Sequence, residues 1–381
     1  MSGRDIPFAT KQGMPFHGTD DPAACLLGEN VTLPPEAATV VFFDCGSGAA
    51  AASICLAHGN IAATLTDRNF LCAEAARRTL GLNGLAGEVV FSHGSAGLSP
   101  LPPADAVIIR LPKGRAAAVQ LLWDAFFALR QGGQCFLAGG NNEGIKPALS
   151  RMGELFGPVE VIAYKGGNRV GVAVKTCDTP PQDCRFDRQW CDHAWFAEFD
   201  AAAGGVNIAV RSRPGVFAWD RMDEGSRLLI ENMTLGEADQ VLDLGCGHGL
   251  VGVAAAMCAP KGHTVMVDCD YEAIRSAQRT AAANGATNCT VLPSDALGAV
   301  AGRKFDAVIS NPPFHAGHKA ELGIAQQFIA GAAQVLDPGG SMQLVANRTL
   351  PYEDVFSQHF SEVATVYKDR FFKVLKGTAP R

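Results

Sequence analysis

Short apolar runs rich in Val, Ile, Leu and Phe recur along the chain, each stopping at Gly, Asp or Pro and leading into a stretch with helical spacing. In the C-terminal half the pattern predicts strands at Val206–Val210, Gln240–Leu244, His263–Val267, Cys289–Leu292, Phe305–Ser310 and Ser341–Ala346. Helices are predicted over Asp223–Asn232 and Glu321–Leu336, and closing antiparallel strands at Val363–Tyr367 and Phe371–Leu375. The N-terminal half repeats the plan: a strand at Thr39–Asp44, an alanine-rich helix to His58, a strand ending at Asp67 and another at Asp105–Ile109. Strands alternating with helices predict an α/β fold with largely parallel sheets.

The strand Phe305–Ser310 runs into Asn311-Pro312-Pro313-Phe314-His315. Neither proline donates to a ladder, so the strand must end there, and the proline after Asn311 biases that residue towards an extended backbone. The Asn311 side chain and the Pro312 carbonyl then offer two acceptors to one small space. A planar exocyclic amine has two hydrogens for such a pair, and Phe314 supplies a face on which its ring would stack. Upstream, Asp243-Leu244-Gly245-Cys246-Gly247-His248-Gly249 joins a strand to a helix through a glycine-rich turn, which lets backbone approach a ligand closely. No Lys followed by Ser or Thr comes after these glycines, as a phosphate loop would require. About twenty residues on, Asp268 ends the next strand, where nucleotide-binding α/β domains place the carboxylate that meets ribose hydroxyls. Asp295 follows the third strand, at the edge where an adenine amine would lie. Either acid alone reads equally well as a helix N-cap. Taken in order, glycine turn, acid, acid and Asn-Pro-Pro-Phe stand at the C-terminal ends of four successive strands, where open α/β sheets bind ligands.

This order resembles the class I S-adenosylmethionine (SAM) methyltransferases, and Asn-Pro-Pro-Phe is similar to the signature of those that methylate exocyclic amines. More narrowly, Arg213-Pro214-Gly215-Val216-Phe217, Asp223-Glu224-Gly225-Ser226-Arg227-Leu228-Leu229, Asn311 to His315, Ala346-Asn347 and Leu350-Pro351-Tyr352 resemble the ribosomal RNA guanine-N2 methyltransferases of the RsmC/RlmG type. The resemblance spans roughly residues 206–376. It departs from the family pattern at Asp295, where Asn is expected, and at His248 and Trp219. It implies SAM as cofactor, held by Asp243, Gly245, Gly247, Gly249, Asp268, Asp295 and Asn311. It also implies catalysis by Asn311, Pro312 and Phe314, and ribosomal RNA or the small ribosomal subunit as partner. Phe217 and His315 become candidate substrate contacts. The competing readings are methylation of adenine N6 in DNA or of a protein glutamine amide, and a non-catalytic ribosome-assembly factor.

The two halves align with each other. Asp67 to Gly84 matches Asp268 to Gly285 without a gap, Asp105–Ile109 matches Asp306–Ser310, Gly132-Gly133 pairs with Gly339-Gly340, and Arg169 with Arg370. The expected fold is therefore two tandem Rossmann-like class I methyltransferase domains produced by internal duplication, the N-terminal copy degenerate. Where the second copy has Asn-Pro-Pro-Phe, the first has Arg110-Leu111-Pro112-Lys113. Guanidinium and ammonium groups only donate, so this copy offers no acceptor pair. Arg110 and Lys113, with Arg115, become candidate phosphate contacts, set against ordinary surface basic residues. The first glycine turn reads as short of glycine, with Ala49 in the place of His248, so cofactor binding there is not expected.

Composition narrows the rest. A chain of 381 residues accommodates two domains, expected at 1–176 and 206–381 with a linker at 177–205. Residues 1–38 read as a loosely packed leader. No run of about eighteen apolar residues and no N-terminal signal core occurs, so a cytoplasmic protein away from membranes is expected. Twelve cysteines are scattered without a Cys-x-x-Cys pair and read as free thiols. Cys177, Cys184, Cys191 and His193 lie too far apart for a typical zinc site, so no metal is expected. Formal net charge is -6; residues 1–176 carry 14 basic and 14 acidic groups against 18 and 24 in the remainder. Any RNA-binding surface must be a local patch, more plausibly in the N-terminal half.

Overall fold

The computed structural model describes residues 5–17, 19–98, 102–312 and 318–381. It divides into two units, Met1–Trp195 and Phe196–Arg381.

Unit 1 carries strands β1 (Thr39–Phe43), β2 (Ala62–Asp67), β3 (Glu88–Phe91), β4 (Ala104–Arg110), β5 (Leu129–Gly140), β6 (Glu160–Lys165) and β7 (Asn168–Val174). Its helices are α1 (Pro22–Asn30), α2 (Ala49–His58), α3 (Phe70–Leu82), α4 (Arg115–Ala128), α5 (Ile145–Phe156) and α6 (Arg188–Cys191). The sheet order is β3-β2-β1-β4-β5-β7-β6, with β7 antiparallel to both neighbours and the other pairs parallel.

Unit 2 opens on a hairpin of β8 (Ala197–Ala203) and β9 (Val206–Ser212). A second sheet follows, made of β10 (Gln240–Leu244), β11 (His263–Asp268), β12 (Cys289–Pro293), β13 (Phe305–Ser310), β14 (Leu336–Asn347), β15 (Phe360–Lys368) and β16 (Phe372–Pro380). The helices are α7 (Glu224–Asn232), α8 (Leu250–Cys258), α9 (Tyr271–Ala283), α10 (His318–Val335) and α11 (Tyr352–His359). The order β12-β11-β10-β13-β14-β16-β15 repeats that of unit 1 strand for strand. The predicted duplication is thus visible as topology.

Strand alternation builds two cores on the faces of the second sheet. Val241, Ala307 and Ile309 enter one, with α7, α8 and α9; Leu242, Leu244 and Val308 enter the other, with α10 and α11, and Phe305 joins them across the irregularity between Phe305 and Ala307. Each fully buried Val, Leu, Ile or Phe contributes about 1.5–3 kcal/mol, and a one-residue slip would exchange the faces, so the register is fixed. β10 pairs with β11 on one side and β13 on the other, and this reversal of strand order opens a crevice beyond their C-terminal ends.

Three expectations are corrected. Residues 5–38 are not a loose leader: the Ala9 N–H donates to Thr79 Oγ1 at 2.9 Å and Asn83 Nδ2 donates to the Pro7 carbonyl at 2.8 Å. Unit 2 makes the same pair of contacts, Arg211 N–H to Thr280 Oγ1 at 3.0 Å and Asn284 Nδ2 to the Ala209 carbonyl at 2.9 Å. The segment is the opening of the first repeat, its polar turn composition hiding side-chain hydrogen bonds to α3. The linker expected at 177–205 does not exist as such. Phe186 and Cys191 are buried in the core of unit 1, and His193 sits 3.0 Å from Asp124 and 2.7 Å from Gln120, while β8 belongs to unit 2. Apolar and hydrogen-bonding side chains drew both ends into the units. Finally, Arg169 lies opposite Gly139, whereas Ala346, the counterpart of Gly139, lies opposite Lys373, so Lys373 and not Arg370 matches Arg169.

All twelve cysteines are free. Among the described residues no helix is long and apolar enough to cross a membrane, and no group of three or more His, Cys, Asp or Glu side chains is placed to hold a metal.

Candidate active site

The C-terminal end of β10 turns through Gly245, Gly247 and Gly249, at φ of 80°, 53° and 84°, the left-handed region that glycine enters without penalty. Gly249 is also sterically required: a Cβ there would lie 2.8 Å from the Ala277 Cα on α9. A Cβ at Gly247 would meet nothing within 4 Å, so this turn presents bare backbone to open space. The Gly245 and Cys246 N–H groups bond the Val267 carbonyl at 2.9 and 3.0 Å, and the Gly247 N–H donates to Asp268 Oδ2 at 2.9 Å. The turn and the end of β11 are thereby locked together.

Asp268 Oδ1 accepts the Asp270 N–H at 2.9 Å. Each oxygen keeps lone-pair capacity for a further donor. Burial, and then the nearby Asp270, push its carboxyl up to about 6 against the pull of these hydrogen bonds. Asp243, buried on β10, is pushed up to about 8 by burial and then by Asp268, and its Oδ2 has no partner among the described residues. The Gly252 N–H of α8 also bonds this carboxylate and pulls against the rise; a buried carboxyl beside a bare glycine turn, with a second carboxylate at the next strand end, suits a ligand carrying an ammonium group and a ribose. The donor set fits SAM, with Asp268 for the ribose hydroxyls and Asp243 on the side of the turn facing α8. Past β12, Ser294 is buried; its hydroxyl donates to the Ala296 carbonyl at 2.7 Å and accepts the Ala299 N–H at 3.0 Å, shaping the loop that carries Asp295.

β13 ends at Ser310, whose hydroxyl donates to the Leu244 carbonyl at 2.7 Å and ties this strand end to the glycine turn. Asn311 follows. Its Nδ2 donates to Asp223 Oδ2 at 3.1 Å and to Ser226 Oγ at 2.9 Å, while its Oδ1 is buried with no partner among the described residues. Pro312 is buried. Phe314 and His315 lie outside the described residues. Phe217 is half-exposed in the loop between Gly215 (φ 98°) and Ala218 (φ 49°). His248, the departure within the glycine turn, is buried with its ring edge-on to Phe199 at 5.8 Å; burial pushes it down to about 4, which keeps it neutral.

Asp223 and Ser226 were singled out only within a resembling segment, with no role attached. Their signal in the sequence is an N-cap Asp with Ser three positions on, and Asp223 does cap α7 by accepting the Ser226 N–H at 3.0 Å. Nothing local shows that the same carboxylate reaches Asn311.

Unit 1 corrects two site expectations. Its turn is short of one glycine, in a register that sets Ser47 against His248: Gly46 and Gly48 have φ of 58° and 77°, and the Gly46 N–H donates to Asp67 Oδ2 at 2.8 Å, as in unit 2. Ala49 begins α2 and is not the counterpart of His248. The departure is Asp44 (φ 53°) where unit 2 has Gly245; burial and then Asp44 push the Asp67 carboxyl up. Arg110 is not a phosphate contact. Its Nε donates to Asp21, Nη1 to Glu143 and the Leu111 carbonyl, and Nη2 to Asp21 and Glu143, at 2.8–3.2 Å, so all five N–H donors are used. The Phe16 ring lies 5.4 Å from its guanidinium carbon. Lys113 and Arg115 are exposed.

A doubly repeated α/β unit with a glycine turn, a ribose-type carboxylate and an amide acceptor at successive strand ends defines a class I methyltransferase. The comparisons agree: the methyltransferase small domain model matches residues 5–171 and 207–376. The chain belongs to that family and is a SAM-dependent methyltransferase of the RsmC-like type. It is 33% identical over 276 residues to a Ribosomal RNA small subunit methyltransferase C of Hahella chejuensis, covering 71% of this chain and 78% of that one. A namesake from Aeromonas hydrophila is 32% identical over 293 residues, covering 76% and 81%. A T. thermophilus 16S rRNA N2 methyltransferase, solved with AdoMet and guanosine, superposes with a TM-score of 0.80 at 27% identity, covering 97% of this chain and 95% of that one.

Proposed function

We propose that unit 2 transfers a methyl group from SAM to the exocyclic N2 amine of a guanine in ribosomal RNA, in the small subunit, and works in the cytoplasm. The observation that carries this reading is the buried, unpartnered Asn311 Oδ1, an acceptor aimed at no group of the described protein. A buried acceptor without a partner costs stability, about 1–3 kcal/mol, unless a ligand donor completes it. The named relatives supply the nucleic acid and the base.

Gly245, Gly247 and Gly249 with Asp243, Asp268 and Asp295 hold the cofactor, which supplies an electrophilic methyl group on a sulfonium. Asn311 Oδ1 and the Pro312 carbonyl each accept one hydrogen of the guanine amine. The lone pair of an aromatic amine is delocalised into the ring; gripping both hydrogens favours a pyramidal nitrogen whose lone pair is freed for attack. Once the methyl has left, the sulfur is a neutral thioether and the cationic nitrogen releases one proton to water without a dedicated general base. Holding that nitrogen in one place contributes the remainder of the effect. The base has to leave its stack, and Phe217 and Phe314 are the residues proposed to receive it. His315 serves as a further substrate contact. Unit 1, its strand end filled by Arg110, acts as structural support or RNA platform through exposed groups such as Lys113.

The test is product identity. The protein is incubated with methyl-labelled SAM and either naked rRNA, small subunits, DNA or a glutamine-bearing release factor, and the RNA is digested to nucleosides for mass spectrometry. N2-methylguanosine from rRNA or subunits is expected. N6-methyladenosine or methylglutamine as the product overturns the assignment, and so does SAM binding without any transfer.

A further inference from the structure

We infer that Asp223 is a positioning residue that fixes the polarity of the Asn311 amide, with Ser226 as a second support, and so makes the site select an amine; this rests on the function proposed above. The two ends of an Asn side chain have the same shape but opposite hydrogen-bonding character. Here the NH2 end is held by a carboxylate oxygen of half-buried Asp223 at 3.1 Å and by the hydroxyl oxygen of buried Ser226 at 2.9 Å. Turning the amide over would set Oδ1 against Asp223 Oδ2, acceptor against acceptor, and would leave the NH2 pointing where Oδ1 now stands. The carboxylate is itself fixed, because the same Oδ2 takes the Ser226 N–H at 3.0 Å as the cap of α7. Gly225 leaves the space this needs: a Cβ there would lie 3.0 Å from Asp223 Oδ2 and 3.5 and 3.6 Å from the two ends of the Asn311 amide.

Unit 1 supplies an independent instance. Asp21 caps α1, the counterpart of α7, by accepting the Ala23 and Ala24 N–H groups, and it also grips Arg110 at the end of β4. In both repeats the N-cap aspartate of the first helix holds whichever side chain stands at that strand end. In unit 1 the held residue is a cation that fills the position. In unit 2 it is an amide whose oxygen is thereby turned towards the incoming group. An acceptor presented this way receives N–H donors and repels a carbonyl or ring nitrogen.

Guanosine and inosine differ only in the 2-amino group, so their relative affinity reads this polarity directly. With S-adenosylhomocysteine bound, the full-length wild type is expected to bind guanosine at least about fivefold more tightly than inosine by calorimetry. Asp223→Asn offers Asn311 an NH2 as well as an oxygen, which lets the amide turn. It is expected to bring the ratio to about one, with inosine and S-adenosylhomocysteine affinities within about twofold of wild type and kcat lowered more than KM. Asp223→Ser, which keeps a capping oxygen for α7 but removes the carboxylate that holds the Asn311 NH2, is expected to lower the ratio partway and covers the case in which Asp223→Asn does not fold. A wild-type ratio in the folded variants overturns the inference while leaving the proposed function standing. No guanosine preference in the wild type overturns the amine reading, and the inference falls with it.

Discussion

Replacing Arg110 by alanine separates an internal tie from an RNA contact. The side chain is 12% exposed and spends every N–H donor inside unit 1, one on the Leu111 carbonyl and the rest on carboxylates that are 18% and 30% exposed. Burial raises the Glu143 carboxyl, but the hydrogen bonds from Arg110 outweigh this and hold it below the usual carboxylate range. Removing the guanidinium leaves Asp21 and Glu143 facing each other without a cation. Breaking a buried ion pair costs about 3–5 kcal/mol; with the carboxylates partly hydrated, about 3 kcal/mol is the better figure. For a unit of this size a loss of 1 kcal/mol lowers Tm by about 2–4 °C, so calorimetry should show the unit 1 transition falling by roughly 6–12 °C. Below the new Tm, RNA affinity measured by filter binding over a salt series should stay within about twofold, with the salt slope unchanged. A stable variant whose RNA binding and salt slope both drop would refute the tie and restore Arg110 as a phosphate contact.

Other perturbations read the cofactor side. Asp268→Ala should weaken SAM binding by an order of magnitude or more, about 1.4 kcal/mol per tenfold, whereas an unchanged Kd removes the ribose contact. With Asp268 as the acceptor of the ribose hydroxyls and its carboxyl held up to about 6 in the free protein, wild-type SAM affinity should fall about tenfold more per pH unit below 6 than that of Asp268→Ala, while any fall from higher pH due to Asp243, pushed up to about 8, is shared by both. The Asp268→Ala titration should lack this extra fall; identical profiles would contradict it. Gly249→Ala puts a Cβ 2.8 Å from the Ala277 backbone at φ 84°, so a loss of roughly 2–5 kcal/mol in urea unfolding of unit 2 is expected. A loss below 0.5 kcal/mol would mean the turn relaxes freely.

What the sequence made legible was local. A glycine turn, an acid at a strand end and Asn-Pro-Pro each declare themselves within a few residues, and their order along four strands is enough for the fold and the candidate ligand edge. The duplication was legible because Asp67–Gly84 and Asp268–Gly285 keep one spacing, and it blurred where the longer segment after Asn311 shifts the register, which is why Arg169 was set against Arg370. Contacts between distant positions stayed hidden. Asn311 meets Asp223 across 88 residues, and Arg110 meets Asp21 across 89 and Glu143 across 33. An arginine at a strand end looks the same in sequence whether it faces phosphate or two carboxylates. The opening segment and residues 177–195 misled for a related reason: Pro, Gly and Asp suggest loose chain, while their hydrogen bonds to Thr79 and Asn83, or of His193 to Gln120 and Asp124, depend on the tertiary fold.

The central claim, that the Asn311 oxygen grips the reacting amine, is tested most directly by single-turnover methyl transfer to small subunits by Asn311→Ala with SAM saturating. The account expects a rate about 10²–10³-fold below wild type, the scale of one lost transition-state hydrogen bond, with SAM affinity nearly intact because the other cofactor contacts remain. A rate equal to wild type would contradict it.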